Sequence, residues 1–252
     1  MIDDTLFRIL LVAWSAVAAV TFITLFFIPA PYGKTSRTGW GPKIHAKIGW
    51  LLMEVVSLAG ITAFFVTGRN RDLPYLVFYL LWAGHYAYRS LIFPFLRREN
   101  PANLPLTVMF FGMGFNILNT FFNGWSLFHE ERFFTAGWLL SIRFVCGAIV
   151  FLAGFVLHVH SDHILRDLRR GEDKSYKIPK RGFFRFVSCP NYLGEILQWI
   201  GWAVLTWSWA GATFAVWTAA NLAPRAVSYH AWYKKTFPEY PKQRKALIPF
   251  IL

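Results

Sequence analysis

Long apolar runs follow one another along the whole chain, and they limit the possible folds more than any other feature of the sequence. The first run, Leu6 to Ile28, contains a single charged residue, Arg8, and is long enough to cross a hydrocarbon core of roughly 30 Å as a helix. Six further runs lie at about Ile48 to Val66, Leu73 to Phe93, Leu104 to Phe122, Phe134 to Leu157, Tyr192 to Trp207 and Ala210 to Tyr229. A buried helix of a soluble protein would explain any single run, but not seven in succession.

The composition agrees with a membrane protein, because 56% of the residues are hydrophobic and only 15% are charged. The sequence therefore predicts an all-α integral membrane bundle of seven transmembrane helices. We find no internal repeat and no dividing linker, which predicts a single domain over residues 1–252. The one long connection, His158 to Pro190, is predicted to be a functional cytoplasmic loop, since connections of this length usually carry function.

The distribution of Lys and Arg predicts the orientation of the bundle, because basic residues near helix ends stay on the cytoplasmic side. The first, third and fifth loops and the carboxyl-terminal tail are basic, as shown by Lys34, Arg37, Lys43 and Lys47 in the first loop alone. The amino terminus is therefore predicted to lie outside and the carboxyl terminus in the cytoplasm. This bias also explains the net charge of +13, so no nucleic-acid partner is expected.

Polar residues inside the predicted spans are the candidates for chemistry, because an ionisable group in a bilayer is costly. Glu54 is the candidate in the second run. Four of the later runs each contain a short group of polar residues, most of it at helical spacing: His85, Tyr86 and Arg89; Asn116, Asn119 and Asn123; Asn191, Glu195 and Gln198; and Asn221, Arg225 and Tyr229. Hydrogen bonds between helices would explain the asparagines equally well. The carboxyl groups of Glu54 and Glu195 and the guanidinium of Arg225 favour a polar central cavity. The alternative is that Glu54 forms a structural ion pair with Arg89 or Arg225.

The predicted cytoplasmic loop begins with a basic segment in which Asp162, Arg166 and Arg169 share one helical face. Arg169 and Arg170 have the side chains that bind phosphate oxygens in bidentate geometry, and Asp162 is of the type that accepts hydrogen bonds from a ribose. A solvated helix with salt bridges would show the same spacing. The two cysteines, Cys146 and Cys189, do not predict a disulfide, and the histidines show no metal-ligand spacing, so no metal is expected.

Several longer motifs, taken together, resemble the steroid 5-alpha-reductase family, as a bacterial-type homologue. They are HSDHILRDLRR from His160, SYKIPKRGFFRFVSCPNYLGEILQWIGWAVLTWS from Ser175, FPEYPKQRKALIPFIL from Phe237, YGK from Tyr32, WLLMEVVSLAG from Trp50 and HYAYR from His85. The resemblance covers nearly the whole chain. It implies a seven-helix reductase that holds NADPH in a cavity open to the cytoplasm and a 4-ene-3-oxo steroid or similar enone in a pocket on the lipid side.

The resemblance also implies roles for individual residues. Glu54 and Tyr86 match the pair that hydrogen-bonds the substrate carbonyl. Cofactor binding is expected of Tyr32, Lys34, Trp50, Arg89, Asn116, Asp162, Arg169, Tyr176, Asn191, Glu195, Arg225, His230 and Tyr233. Two positions depart from the family pattern: Met53 stands where the steroid enzymes have glutamine, and His158 replaces an asparagine.

The implied chemistry is hydride addition to the β-carbon of the enone, which places negative charge on the carbonyl oxygen. A Tyr hydroxyl and a protonated carboxyl in a low-dielectric site would both donate hydrogen bonds to that oxygen. A monomeric, multi-pass protein of a bacterial inner membrane or the endoplasmic reticulum is expected, with the lipid-like substrate and membrane lipid as its partners.

Three other classes of function are weighed against this one. An enoyl-thioester or polyprenal reductase of the same superfamily would use the same hydride chemistry. A membrane methyltransferase would use S-adenosylmethionine, but the HSD, SYKIP and ALIPF motifs argue against it. A channel or receptor would explain the polar stripes and leave the phosphate-binding loop without a use.

Overall fold

A computed structural model describes residues 3–96, 103–130, 134–168 and 175–252, and these residues are mostly helical. The α-helices are α1 (Asp4–Phe27), α2 (Ala46–Thr67), α3 (Leu73–Ala87), α4 (Phe93–Leu96), α5 (Leu106–Phe128), α6 (Ile142–Asp167), α7 (Pro190–Thr206) and α8 (Trp209–Thr236). A π-helical turn, Tyr88–Ile92, connects α3 to α4. Two short antiparallel strands, β1 (Lys43–Ile44) and β2 (Leu104–Pro105), pair with each other.

Each of the seven predicted segments contains a helix, with α3, the π-turn and α4 together forming the third. Within the described residues, α1, α2 and α6 are long and apolar enough to cross a membrane by length and composition. The prediction of an all-α membrane protein is therefore confirmed. Seven spans, and the side on which each terminus lies, stay predictions.

Three helices differ clearly from their predicted bounds, and the first is α5, which ends at Phe128 instead of Phe122. Helix α6 begins at Ile142 instead of Phe134, because Ser141 caps it by accepting a hydrogen bond from the Phe144 N–H at 3.2 Å. The same helix continues through Asp167, so the first part of the predicted loop is helical. Helix α8 extends to Thr236, beyond the apolar run that predicted it.

The described chain divides into two compact units. The first unit consists of Met1–Ala30 and Cys146–Leu252, and the second consists of Pro31–Val145. The prediction of a single domain stays a prediction.

The second unit is built on close packing between α2 and α5. Glycines allow the approach, because a Cβ atom at Gly112 would clash with the Met53 side chain and one at Gly124 would clash with the Phe64 ring. The β1–β2 pair joins the segments that precede these two helices, with Lys43 opposite Pro105. Buried aromatic side chains fill the space beside α3. They are Tyr75, Phe78, Trp82, Phe128 and Phe134.

The first unit contains a glycine-lined contact between α6 and α7. A Cβ atom at Gly147 would lie 2.5 Å from the Leu205 nitrogen, and one at Gly194 would lie 2.5 Å from the His158 nitrogen. Gly154 and Gly201 complete this series, which we call the glycine contact. Because the two backbones touch, side chains at the end of α6 lie directly against the start of α7.

The carboxyl-terminal tail is fixed to the segment that precedes α7. The Ser188 N–H donates to the Lys245 carbonyl at 2.8 Å, and the Cys189 N–H donates to the Ala246 carbonyl at 3.1 Å. The tail therefore packs on the same end of unit one as the beginning of α7.

Candidate active site

A buried polar cluster, which we call the carboxylate cluster, lies inside the second unit and consists of Glu54, Tyr86, Arg89 and Asn116. Arg89 Nη2 donates to Glu54 Oε1 at 3.1 Å, and both residues are less than a tenth exposed, at 8% and 7%. Asn116 Nδ2 donates to Glu54 Oε2 at 3.4 Å, and the Tyr86 hydroxyl donates to Asn116 Oδ1 at 3.3 Å. The cluster therefore joins α2, the α3 region and α5 through one continuous chain of hydrogen bonds.

The π-turn places Arg89 in this cluster. Pro94 has no N–H to donate and its ring would crowd a carbonyl one turn earlier, so a regular α-helix cannot run through it undisturbed. The Phe93 N–H instead donates to the Tyr88 carbonyl, which widens the turn. Single π-turns of this kind are frequent at functional sites.

Aromatic rings surround the Arg89 guanidinium. Its central carbon lies 4.7 Å from the centre of the Trp50 ring and 5.2 Å from that of Phe93. Ring faces stabilise a cation, more so where water is excluded. The indole Nε1 of Trp50 is buried and, within the described part of the chain, donates no hydrogen bond. It is therefore a donor that is available to a bound molecule.

The asparagine stripe of α5 divides into two parts. Asn116 belongs to the carboxylate cluster, whereas Asn123 Nδ2 donates to the Asn119 carbonyl at 3.0 Å and to its side-chain oxygen at 3.3 Å. The sequence left two interpretations of this stripe, and each applies to part of it. Asn116 belongs to the buried polar cluster, whereas Asn119 and Asn123 form a structural hydrogen bond.

A second cluster, the histidine cluster, lies in the first unit where α6 meets α7, and consists of His158, Asp162, Asn191 and Glu195. Asn191 Nδ2 donates to Asp162 Oδ1 at 3.2 Å. His158 Nε2 lies 3.5 Å from Asp162 Oδ2, and His158 Nδ1 lies 3.6 Å from Glu195 Oε2. His158 is only 1% exposed. Three residues predicted for cofactor binding therefore meet around one buried imidazole.

Arg225 pairs with an aromatic side chain. Its Nη2 donates to the Tyr192 hydroxyl at 3.1 Å, and its guanidinium lies 5.2 Å from the centre of that ring. The Tyr229 ring lies beside Tyr192, with centres 5.9 Å apart. Tyr192 immediately follows Asn191 in sequence, so α7 presents both residues from its first turn.

A third cluster, the tail cluster, consists of Ser188, His230, Tyr240 and Arg244. The Ser188 hydroxyl lies 2.6 Å from both His230 Nδ1 and the Tyr240 hydroxyl, and Arg244 Nη1 donates to Tyr240 at 3.3 Å. The Tyr233 ring stacks on Tyr240 with centres 5.2 Å apart. Two predicted cofactor residues, His230 and Tyr233, therefore contact the carboxyl-terminal tail.

The surroundings of the tail cluster shift two pKa values. Burial lowers the pKa of His230, and the positive charges of Lys234, Arg244 and Lys245 lower it further. Burial also raises the pKa of Tyr240, against the opposing effect of its hydrogen bonds with Ser188 and Arg244. His230 is consequently neutral at pH 7, and Tyr240 keeps its phenolic proton.

The predicted residues that remain are Tyr32, Lys34, Tyr176 and Arg169. Tyr32 and Lys34 lie at a short 3₁₀ turn, Gly33–Thr35, where Thr35 Oγ1 donates to the Tyr32 carbonyl at 3.1 Å. The Tyr176 ring contacts Trp232, with centres 5.0 Å apart. Arg169 and Arg170, the predicted phosphate ligands, lie outside the described residues.

Sequence reasoning missed several members of the clusters. In the sequence, His158 is distinguished only as a departure from a family pattern. It nevertheless lies four residues before Asp162 and on the same helical face. Ser188, Tyr192, Tyr240 and Arg244 lie in the quoted motifs, but none of them was predicted as a site residue. Among the residues that the structure describes, no group of three His, Cys, Asp or Glu side chains could hold a metal ion.

Comparison with known proteins gives consistent matches. The profile of the family described as 3-oxo-5-alpha-steroid 4-dehydrogenase matches residues 102–252. The chain is 40% identical to the steroid 5-alpha-reductase DET2 of Gossypium hirsutum and 39% identical to that of Arabidopsis thaliana, over 99% of this chain and 98% of each relative. It is 35% identical to 3-oxo-5-alpha-steroid 4-dehydrogenase 1 of Rattus norvegicus, over 93% of this chain and 91% of the relative.

Proposed function

This chain belongs to the 3-oxo-5-alpha-steroid 4-dehydrogenase family, and we propose that it reduces the activated double bond of a 4-ene-3-oxo steroid with NADPH. It is an oxidoreductase that acts on CH–CH groups, as the family is. The full-length similarity to steroid 5-alpha-reductases and the buried carboxylate cluster support 5-alpha reduction as the reaction.

The carboxylate cluster is the observation on which the substrate site rests. Reduction of an enone builds negative charge on its carbonyl oxygen, and a donor aimed at that oxygen stabilises the charge where water is excluded. We assign one hydrogen bond to the Tyr86 hydroxyl, which already carries an exchangeable proton in this cluster.

We assign the second hydrogen bond to Glu54. In this role the carboxyl carries a proton when the enone is bound. The ion pair with Arg89 is then the arrangement of the site before the substrate enters. Apolar helices around the cluster exclude water and hold the steroid rings, which strengthens both hydrogen bonds.

The histidine cluster and Arg225 suit a dinucleotide cofactor. A carboxylate such as Asp162 accepts hydrogen bonds from ribose hydroxyls, and a guanidinium such as Arg225 matches phosphate oxygens. Two further polar atoms nearby, Ser161 Oγ and Arg166 Nη1, are buried and have no hydrogen-bond partner within the described ranges. These residues, with Asn191 and Glu195, would hold NADPH, which supplies the hydride when bound.

We also propose how the chain is oriented in the membrane. Seven spans place the amino terminus outside and the basic carboxyl-terminal tail in the cytoplasm, where the nucleotide is available. The apolar substrate enters from the bilayer. This arrangement is supported by the basic loops and by the three helices that, among the described residues, are suited to crossing a membrane.

The test of the function is NADPH consumption by the purified full-length protein. Progesterone-like 4-ene-3-oxo steroids should be converted to 5-alpha-reduced products in step with NADPH oxidation. A polyprenal and an enoyl thioester are assayed beside them, and either as the better substrate would favour a related reductase. Binding of S-adenosylmethionine without binding of NADPH would overturn the reductase assignment.

A further inference from the structure

The Asn116 side chain occupies the centre of the carboxylate cluster. Its Nδ2 donates to the Met53 backbone carbonyl at 2.7 Å, which fixes the orientation of the amide because a carbonyl can only accept. The amide oxygen therefore faces the Tyr86 hydroxyl, and the same Nδ2 lies within reach of Glu54 Oε2. Asn116 is only 4% exposed, so water does not compete for these contacts.

We propose that Asn116 is a positioning residue that holds the Tyr86 hydroxyl and the Glu54 carboxyl where the substrate carbonyl oxygen binds. This inference rests on the proposed function. It gives Asn116 a different role from the cofactor contact expected from the sequence, because the contacts of its side chain are with the two proposed catalytic residues and the Met53 backbone.

The lengths of the bonds fit this role. The bond to the Met53 carbonyl is short and anchors the amide, whereas the Tyr86 bond, at 3.3 Å, is longer than is usual for a hydroxyl donor and therefore weak. A carbonyl oxygen of the substrate can therefore replace Asn116 as the acceptor of the Tyr86 proton at small cost. The hydroxyl needs little movement, which reduces the reorganisation required for the reaction.

The Tyr86 ring is fixed from a second side. The Trp82 ring stacks on it with centres 5.4 Å apart, and Trp82 Nε1 donates to the Ser57 hydroxyl at 3.2 Å. Ser57 in turn lies 2.6 Å from the Thr120 hydroxyl, one turn after Asn116 on α5. The ring and the hydroxyl of Tyr86 are thus both held by contacts that α5 supports.

A double-mutant cycle in the purified full-length protein tests the proposal, with Asn116→Ala, Tyr86→Phe and the double variant. Asn116→Ala should lower kcat for a steroid enone about tenfold, the size expected for one lost hydrogen bond in an active site. The same substitution should cost distinctly less in the Tyr86→Phe protein, because the hydroxyl that it positions is gone. The dissociation constant of NADPH, measured directly, should change less than about twofold.

Two further variants separate positioning from a loss of packing. Asn116→Asp keeps the size of the side chain but removes the amide donor, so it should also lower kcat, and it replaces Asn116→Ala in the cycle if that variant does not fold. Asn123→Ala removes a buried amide of the same helix that lies outside the cluster, and its kcat should equal that of the wild type.

The outcomes are distinguishable. Losses that multiply in the double variant would show that Asn116 acts independently of Tyr86, and weakened NADPH binding with unchanged kcat would return Asn116 to the cofactor site. Either result overturns the positioning role and leaves the proposed function intact. A wild-type protein that reduces no steroid enone with NADPH would overturn the proposed function, and the role of Asn116 with it.

Discussion

The Glu54 carboxylate lies in the apolar interior of the second unit, where an unmatched charge would cost several kcal/mol. Arg89 supplies the opposite charge, and the Asn116 amide lies near the second carboxylate oxygen. The sequence left Arg89 and Arg225 as alternative partners, and the structure pairs Glu54 with Arg89. A buried ion pair adds little net stability, because removing its charges from water costs about as much as their attraction contributes. We therefore assign this pair to the reaction.

Removing either proposed donor should slow the reaction. We expect Glu54→Leu, which has no donor, and Tyr86→Phe each to lower kcat by about a hundredfold, the effect of losing one donor to a developing oxyanion. Steady-state kinetics with a steroid enone and saturating NADPH measure the change. Wild-type rates in both variants would contradict the assignment.

The lowered pKa of His230 predicts a dependence of stability on pH. Well above pH 6.5 the imidazole is neutral in both the folded and the unfolded chain. As pH falls below 6.5 the unfolded chain binds the proton first, so stability is lost until the folded protein is also protonated. His230→Gln should reduce this loss.

The loss of stability is measured by thermal unfolding of the detergent-solubilised protein between pH 5 and pH 8. His45→Gln changes an exposed histidine and is the control. An equal decline in the wild type and in His230→Gln would show that the pKa of His230, lowered by burial and by the nearby positive charges, does not control stability in this pH range.

At the scale of single elements, α6 and α7 depend on the glycine contact. Four glycines, two on each helix, bring the backbones together and so place His158 and Asp162 against Asn191 and Glu195. Small residues serve this purpose in membrane helices, because close approach gives dispersion contacts that lipid cannot replace.

A methyl group in the glycine contact should therefore destabilise the protein. Gly201→Ala places a Cβ atom against the Phe151 backbone, which cannot move aside as a flexible side chain would. We expect a loss of about 1–3 kcal/mol, measured as a lower unfolding temperature.

Gly84→Ala is the matched control, since a Cβ atom there has no neighbour within 4 Å among the described residues. Alanine is also the better helix former, so the control should be neutral or slightly stabilising. A similar loss in both variants would mean that the glycine contact does not determine the stability of unit one.

At the scale of the whole molecule, the basic loops predict how the chain is oriented in its membrane. Seven spans would place the two termini on opposite sides, and the excess of Lys and Arg predicts that the carboxyl terminus lies in the cytoplasm. A cytoplasmic tail is also what the proposed binding of NADPH requires.

Reporter fusions test this orientation. A reporter that is active only in the cytoplasm should work when it is fused after Leu252, and one that requires the opposite side should work when it is fused before Met1. Termini on the same side would contradict seven spans. The assay is independent of catalysis, so its result does not depend on the proposed function.

The sequence by itself determined the class of protein and the positions of the helices. These properties are local, because an apolar run of sufficient length forms a helix wherever it stands, and each of the seven runs contains one. Glu54, Tyr86 and Asn116 were also identifiable, since a polar residue in an apolar run needs a reason. Boundaries were less predictable, as the Ser141 cap of α6 shows.

Only the tertiary structure decided which polar groups meet. The division of the α5 stripe between Asn116 and the Asn119–Asn123 pair depends on which face of α5 packs on α2. The entry of His158 into its cluster depends on the glycine contact, and that of Arg89 depends on the π-turn before Pro94. A hydrogen bond forms only between atoms about 3 Å apart. A sequence pattern shows which residues share a helical face, but not which helix packs against that face. Tertiary packing therefore decides which residues become partners.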